Sequence, residues 1–316
     1  GSIAELEKLS GRKVKEMHLP DIDEITILKN GKTYHRVPDV LDVWIDAGTT
    51  SWNCLGFPKN KKLFEKLFPA DFILEGKDQI RGWFNLLIVA SFLAFDRPSF
   101  KNVYMHGFVT DVNGQKMSKS LGNIISPYEI IDKHGADVLR YYMSETTAGE
   151  DINFSWDECA QKARNVNILW NLHKLLINLA VENKINPYKL DGKRIHRVMD
   201  MEERYMISKL HSTLRKVTEL LEAYRLDETI APMEELFFEL SRTYIQMVRD
   251  KSSIGEEEEK EKVIYTLGHV LLETLKQFSI VAPFICEAMY LNLRQEFKLK
   301  EESLSHFNWT SLDSRK

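Results

Sequence analysis

Ile73-Leu74-Glu75-Gly76-Lys77-Asp78-Gln79-Ile80-Arg81-Gly82-Trp83-Phe84 is the stretch on which the fold turns. A short apolar run, Asp71 to Leu74, stops at Glu75-Gly76. Gly82 to Phe95 then follows, long and almost wholly apolar, and reads as a buried helix. Val103 to His106 is a second short buried strand. Strand, helix, strand at this spacing predicts a βαβ unit and a parallel sheet. In open α/β sheets ligands bind beyond the carboxyl ends of the strands, which is where Glu75 to Gln79 fall. Glu75 and Asp78 can accept from an amino group or ribose hydroxyls. Gln79 offers a donor and an acceptor, and Gly76 lets a ligand come close to the backbone. Taken alone, the segment is better read as an ordinary strand-to-helix turn with a capping acid.

Downstream of the second strand lies Gly114-Gln115-Lys116-Met117-Ser118-Lys119-Ser120-Leu121-Gly122-Asn123, opened by an Asn113-Gly114 turn. Lysine is a flexible point charge, suited to following phosphates that move during a reaction. The chemistry that such a loop serves is attack on the α-phosphate of ATP, with cations stabilising the charge that builds on the phosphoryl oxygens and the departing pyrophosphate. A solvated Lys/Ser loop is the competing reading of these ten residues. Upstream, Pro38 to Gly48 contains Trp44, which reads either as the wall of an apolar pocket or as a core tryptophan. No GxxxxGK[ST] run occurs, so a P-loop enzyme is disfavoured.

The rest of the chain divides by pattern. Residues Ile3 to Pro38 are charged and broken by Gly and Pro, and predict a short helix with small strands or loops. Ser126-Pro127-Tyr128-Glu129 and Ser155-Trp156-Asp157-Glu158 have the spacing of helix-start capping boxes, with a short helix over Asp137 to Ser144 between them. Beyond Glu158 only helical periodicity remains. Four long amphipathic helices are expected, over Glu158–Val181, Met206–Leu221, Met233–Met247 and Ile264–Phe278, with Glu256 to Glu259 starting the last. Such a set makes a bundle.

Composition bounds the partners. The chain has 316 residues, 43% hydrophobic and 28% charged, with a formal net charge of -4. A basic footprint over the whole chain is absent, although a local basic face would suffice for RNA. Cys54, Cys159 and Cys286 are far apart, so no structural zinc or disulfide framework is expected, and the compartment reads as reducing. No apolar run approaches membrane-span length. Gly1-Ser2 reads as a cloning scar, which leaves the natural start upstream.

Together these segments resemble the second half of the catalytic domain of isoleucyl-tRNA synthetases, a class I aminoacyl-tRNA synthetase family. The family pattern has Trp-Phe-Asp-Ser-Gly, then Glu-Gly-x-Asp-Gln-x-Arg-Gly-Trp-Phe, then His-Gly-Phe, then Lys-Met-Ser-Lys-Ser. This chain reads Trp44-Ile45-Asp46-Ala47-Gly48, then Glu75 to Phe84 intact, then His106-Gly107-Phe108, then Lys116 to Ser120. Ile45 and Ala47 depart from the pattern, and Ala47 removes a hydroxyl. The resemblance runs on through His134 to Arg140 and reaches Trp170-Asn171 in the helical part. It implies an α/β fold followed by an all-α one: residues 1–38 a linker or peripheral remnant, 39–148 a partial Rossmann-like catalytic domain with the lysine loop, 149–316 an anticodon-binding helical bundle.

The implied roles follow residue by residue. Lys116 and Lys119 would act in catalysis and contact ATP, with Ser118, His106 and Gly107. Glu75, Gly76, Asp78, Gln79, Trp44 and Trp83 would bind the aminoacyl-adenylate. Arg204, Lys209, Arg215, Arg242 and Arg249, with Lys216 and Lys251 near them in sequence, would offer the tRNA a basic face; solvated faces of amphipathic helices explain the same residues equally well. Implied partners are isoleucine, ATP with magnesium, isoleucine tRNA and the remaining N-terminal half of the enzyme, in the cytoplasm, with no membrane and no protein-held metal. The family's His-x-Gly-His type ATP motif and its editing domain are not found here, so a fragment, inactive alone in amino-acid activation, is expected. The alternative is a separate tRNA-binding or partner-binding module of the same ancestry.

Overall fold

The computed structural model describes residues 2–310. The chain divides into two compact units, one of residues 1–73 and 78–103, the other of 74–77 and 104–316.

The first unit opens with α1 (Ile3–Ser10) and a hairpin of β1 (Ile27–Lys29) and β2 (Lys32–Tyr34). Next come α2 (Val43–Asn53), capped by the Asp42 side chain on the Trp44 amide, and α3 (Lys61–Leu67), capped by Asn60. The chain then enters β3 (Ile73–Gly76), passes through α4 (Trp83–Phe95) and returns in β4 (Val103–His106). Ala70 donates to the Ser99 carbonyl and accepts from Lys101, the slanted pattern of a parallel pair, and Ile73 continues it by donating to Asn102. The predicted βαβ unit is therefore present. Its core is aromatic: Trp52, Phe64 and Phe68 are buried against Phe57 and Phe95, with Trp52 and Phe95 centroids 5.1 Å apart.

The expectation of a buried α4 holds for one side only. Phe84, Leu87 and Ser91 are buried, but Leu93 is 84% exposed and Val89 and Phe92 nearly half exposed. Val103, expected in a buried strand, is 44% exposed. The sequence carries no polar stripe to say which face of α4 meets water, because every face is apolar.

In the second unit β5 (Val109–Thr110) pairs in parallel with β6 (Ile152–Asn153). Between them lie α5 (Pro127–His134), begun by the Ser126 cap, and α6 (Ala136–Met143). The bundle comprises α7 (Trp156–Asn183), α8 (Gly192–Val198), α9 (Met201–Glu222), α10 (Ile230–Glu239), α11 (Ile245–Met247), α12 (Arg249–Ser253), α13 (Glu257–Phe278) and α14 (Pro283–Phe297). Ser155 accepts from the Glu158 amide as the Ser-x-x-Glu spacing predicts, and Glu256 and Glu259 form a reciprocal box at the start of α13. Leu169, Met206, Leu210, Leu236, Phe237, Leu267, Leu271, Phe278 and Leu293 form its fully enclosed centre. Each such side chain contributes about 1.5–3 kcal/mol.

Two features depart from the expected four helices. A fifth long helix, α14, closes the bundle. The helix expected over Met233 to Met247 is broken by a wider π turn at Leu240–Tyr244. Within the second unit α6 is bolted into the bundle. Arg140 donates to the carbonyls of Val281 and Ile280, and Asp137 accepts from the Ile285 amide at the start of α14. The Tyr141 hydroxyl donates to Glu234, which Lys162 also meets at 2.7 Å.

Candidate active site

The best-formed constellation lies at the carboxyl ends of β3 and β4, within the second unit. Glu75 and His106 project there, with Glu75 Oε2 4.0 Å from His106 Nε2. Lys77 follows at once, ion-paired to Asp151 at 2.7 Å and 5.6 Å from the centre of the Phe108 ring. Lys116 lies 6.0 Å from the same ring. Phe108 thus brings the lysine loop to the strand ends. The Lys77 ammonium, then the Phe108 amide, which donates to the Asp151 carboxylate at 2.6 Å, lower the Asp151 pKa from its ordinary value. Gly107 is required by packing: a Cβ there would sit 1.9 Å from the Glu150 carbonyl oxygen. On the other side His106 and Gly107 border a largely apolar cavity of about 390 Å³, where the Tyr104 hydroxyl donates to Asp227 at 2.9 Å.

The loop is organised by two residues that motif reading passed over. Asp111 is buried at its base. Its Oδ1 accepts from the amides of Asn113 and Gln115 at 2.9 and 2.8 Å, and its Oδ2 from Asn123 Nδ2 at 2.8 Å. Asn123 Oδ1 in turn accepts from the Ser118 amide at 2.9 Å. One carboxylate therefore ties the loop's entry to its exit. The Asn123 bond, then those from Gln115 and Asn113, lower the Asp111 pKa from its ordinary value. The signal was legible as an Asp two residues before Asn-Gly, an Asx-type turn. Held between these ends, Lys116 pairs with Thr110 in an antiparallel bridge. Lys119 is exposed and its ammonium has no partner among the described residues. Ser118 Oγ lies 3.1 Å from Ser120 Oγ. The loop offers a metal no free carboxylate at Asp111, whose two oxygens are already engaged.

The other candidates lie in the first unit. Gln79 Oε1 accepts from the Trp83 amide at 2.9 Å, and its Nε2 donates to Asp78 at 2.9 Å, so Gln79 caps α4. Trp83 donates its indole N–H to the Ala47 carbonyl at 3.0 Å. Trp44 is 42% exposed, with its ring edge beside Gly82. Both tryptophans thus stay out of the closed aromatic core.

The basic residues of the helices do not form one face. Arg204 and Arg215 line one groove. Arg242 lies 4.3 Å from the Phe238 ring in another, bordered by Glu234, Glu235 and Glu239. Arg249 borders a third. Lys209 is ion-paired to Glu235 at 2.5 Å, and Lys251 to Asp200 at 2.8 Å.

Residues 2–155 match the class I tRNA synthetases (I, L, M and V), and residues 203–316 the anticodon-binding domain of tRNA ligase. The chain belongs to the class I tRNA synthetases. Over nearly its whole length it is similar to isoleucine–tRNA ligases. That of Methanospirillum hungatei is 40% identical over 306 residues, covering 93% of this chain and 29% of the relative. That of Methanoregula boonei is 39% identical, covering 99% and 30%, and that of Thermococcus kodakarensis 38%, covering 95% and 28%. The chain therefore spans under a third of the length of these relatives. Among solved structures, the leucyl enzyme of Agrobacterium radiobacter with tRNA matches 96% of this chain and 37% of its own, with a TM-score of 0.71 at 20% identity. The methionyl-tRNA synthetase of Mycobacterium tuberculosis with methionyl-adenylate matches 85% and 55%, with a TM-score of 0.69 at 21% identity. These two support the fold, a partial Rossmann-like sheet followed by helices. Among the described residues no helix is long and apolar enough to cross a membrane.

Proposed function

We propose that this chain is the lysine-loop half of the catalytic domain, with the anticodon-binding bundle, of an isoleucine–tRNA ligase acting in the cytoplasm. Residues 39–148 are the catalytic part, 149–316 the tRNA-binding part, and 1–38 a peripheral remnant. The observation that carries this reading is the Asp111–Asn123 clamp, which holds Lys116 beside Phe108 at the strand ends where Glu75 and His106 project. The carboxylate of isoleucine attacks the α-phosphorus of ATP, and pyrophosphate leaves. Lys119, free to move, follows the departing phosphates, while Lys116 and Ser118 steady the loop and His106 and Gly107 border the nucleotide. Glu75 and Asp78 hold the amino group and ribose, Gly76 leaves room for them, and Gln79 fixes Asp78. Trp44 and Trp83 flank the isoleucine side chain. Magnesium carried in with ATP would supply further charge neutralisation. The exposed apolar side of α4, with Val40 and Leu41 before α2 and Val43 at its start, is the surface that the rest of the catalytic domain covers.

Isoleucine-dependent ATP–pyrophosphate exchange tests this in the full-length protein that contains the segment. Lys119→Ala is expected to lower the exchange rate constant by about 10²–10³ while the isoleucine KM stays within about twofold. An unchanged rate constant would overturn the role of the loop. The 316-residue chain alone is expected to show no exchange above background; exchange close to the full-length rate would overturn the fragment reading.

A further inference from the structure

Lys77 fills an open position of the Glu75-Gly76-x-Asp78-Gln79 pattern, so the motif gives it no role. Its surroundings do. The side chain is 34% exposed, yet its ammonium is engaged on three sides. Asp151 Oδ1 lies at 2.7 Å, the Gly149 carbonyl accepts from it at 3.5 Å, and the centre of the Phe108 ring is 5.6 Å away. An ammonium so engaged has its donors and its charge directed at chosen partners.

Asp151 joins Lys77 to the strand ends. The same Oδ1 that meets Lys77 accepts from the Phe108 amide. Around it the Gly149 amide donates to the Met105 carbonyl at 2.8 Å, and the Ile152 amide to that of Phe108 at 2.9 Å. Residues 149–152 therefore run beside Met105 to Phe108 and keep Asp151 in place. One carboxylate oxygen ties the side chain that follows β3 to the backbone that follows β4. Phe108 extends this to the loop. Lys116 lies 6.0 Å from the centre of its ring and has no hydrogen-bond or ion-pair partner among the described residues. Two ammonium groups thus share one ring, and the carboxylate beside it is taken by Lys77 alone.

That division of charge has a consequence for the loop. Without the Lys77 ammonium, Asp151 would stand uncompensated beside the ring on which Lys116 rests. Opposite charges in a partly dry site attract more strongly than in bulk water. Lys116 would be drawn to Asp151, and the loop that carries it would follow. We propose that Lys77 is a positioning residue: by neutralising Asp151 it keeps Lys116, and with it the lysine loop, available to the phosphates of ATP. The proposal rests on the catalytic reading above and adds to it a residue that the motif leaves open. It differs from a simple brace between strand ends in one respect. A brace needs both partners, whereas a neutraliser is needed only while Asp151 carries its charge.

Isoleucine-dependent ATP–pyrophosphate exchange in the full-length protein separates the two. Lys77→Met is expected to lower kcat about 10-fold while the isoleucine KM stays within about twofold. Lys77→Arg keeps the charge and is expected to stay within about threefold of the wild type. The double variant Lys77→Met, Asp151→Asn decides. Asn keeps an acceptor for the Phe108 amide but carries no charge, so kcat is expected to return to within about threefold of the wild type. Circular dichroism melts check that each variant is folded. A double variant as slow as Lys77→Met, or slower, would leave only a brace and overturn the proposal. If Lys119→Ala lowers the rate and Lys77→Met does not, the positioning role falls and the catalytic reading stands. If the wild type shows no isoleucine-dependent exchange, both fall.

Discussion

The bundle and the βαβ unit are built from similar amounts of apolar sequence and treat it in opposite ways. In the bundle Leu236, Phe237, Leu267, Leu271 and Phe278 are all 0% exposed, because each helix turns its stripe toward others of the same chain. Around the βαβ unit Leu41, Val43 and Leu93 are 82%, 70% and 84% exposed. A helix bundle closes on itself with local connections. A parallel sheet needs both faces covered and neighbours on its edges. The same composition therefore marks a closed core in one region and an exposed apolar surface in the other.

That contrast can be broken most directly by truncating one apolar residue of each kind. Phe237→Ala opens a cavity in the bundle centre and is expected to cost about 3–5 kcal/mol in urea unfolding followed by far-ultraviolet circular dichroism. Leu93→Ala, equally apolar in sequence, is expected to change stability by less than about 0.5 kcal/mol in this chain. Equal costs would mean that the face of α4 is covered after all.

The two regions also differ in how far sequence reveals them. Glu75 to Phe84, His106 and Lys116 to Ser120 stood out in the sequence because a strand-end turn and a Gly-bounded lysine loop carry particular residues at particular spacings. The bundle was legible as periodicity but not as geometry. The fifth helix, α14, escaped because Pro283 reads equally as a stop and as a first helical residue. The π turn at Leu240–Tyr244 escaped because one widened turn leaves no composition signal. Which arginines share a groove depends on how helices pack: Arg204 and Arg215 meet, whereas Lys209, on the same helix, is consumed by Glu235 on α10. Asp111 lay outside the quoted motif, and only its bonds to both ends of the loop expose its role.

A smaller effect is expected at that clamp, and a local one. Asp111→Ala leaves the amides of Asn113 and Gln115 without their acceptor, a loss of about 1–3 kcal/mol. Hydrogen exchange should speed up at Asn113 to Ser118 while α13 keeps its protection. Equal acceleration in α13 would show that Asp111 supports the whole unit and not the loop.

The smallest effect belongs to the bundle's own charges and tests whether its stability is as apolar as its core. Asp200 starts α9, where its side chain accepts from the amide of the third helical residue and Glu203 returns the bond. Lys251 and Lys262 each reach it at 2.8 Å and lower its pKa from 3.8 to about 2. A group whose folded pKa is depressed stabilises the fold above its unfolded value. Here that contribution is complete above about pH 4 and is lost as the pH falls from 3.8 toward 2. The Asp200 side chain is 45% exposed, so solvent screening limits the term to about 1 kcal/mol or less. Asn serves as well as Asp at a helix start, so Asp200→Asn removes the charge while keeping the cap. Urea titrations at pH 6 are expected to place the variant about 1 kcal/mol below the wild type, and titrations near pH 2 to bring the two together. A gap that persists unchanged in acid would mean that the cap, and not the lysine pair, is what Asp200 contributes.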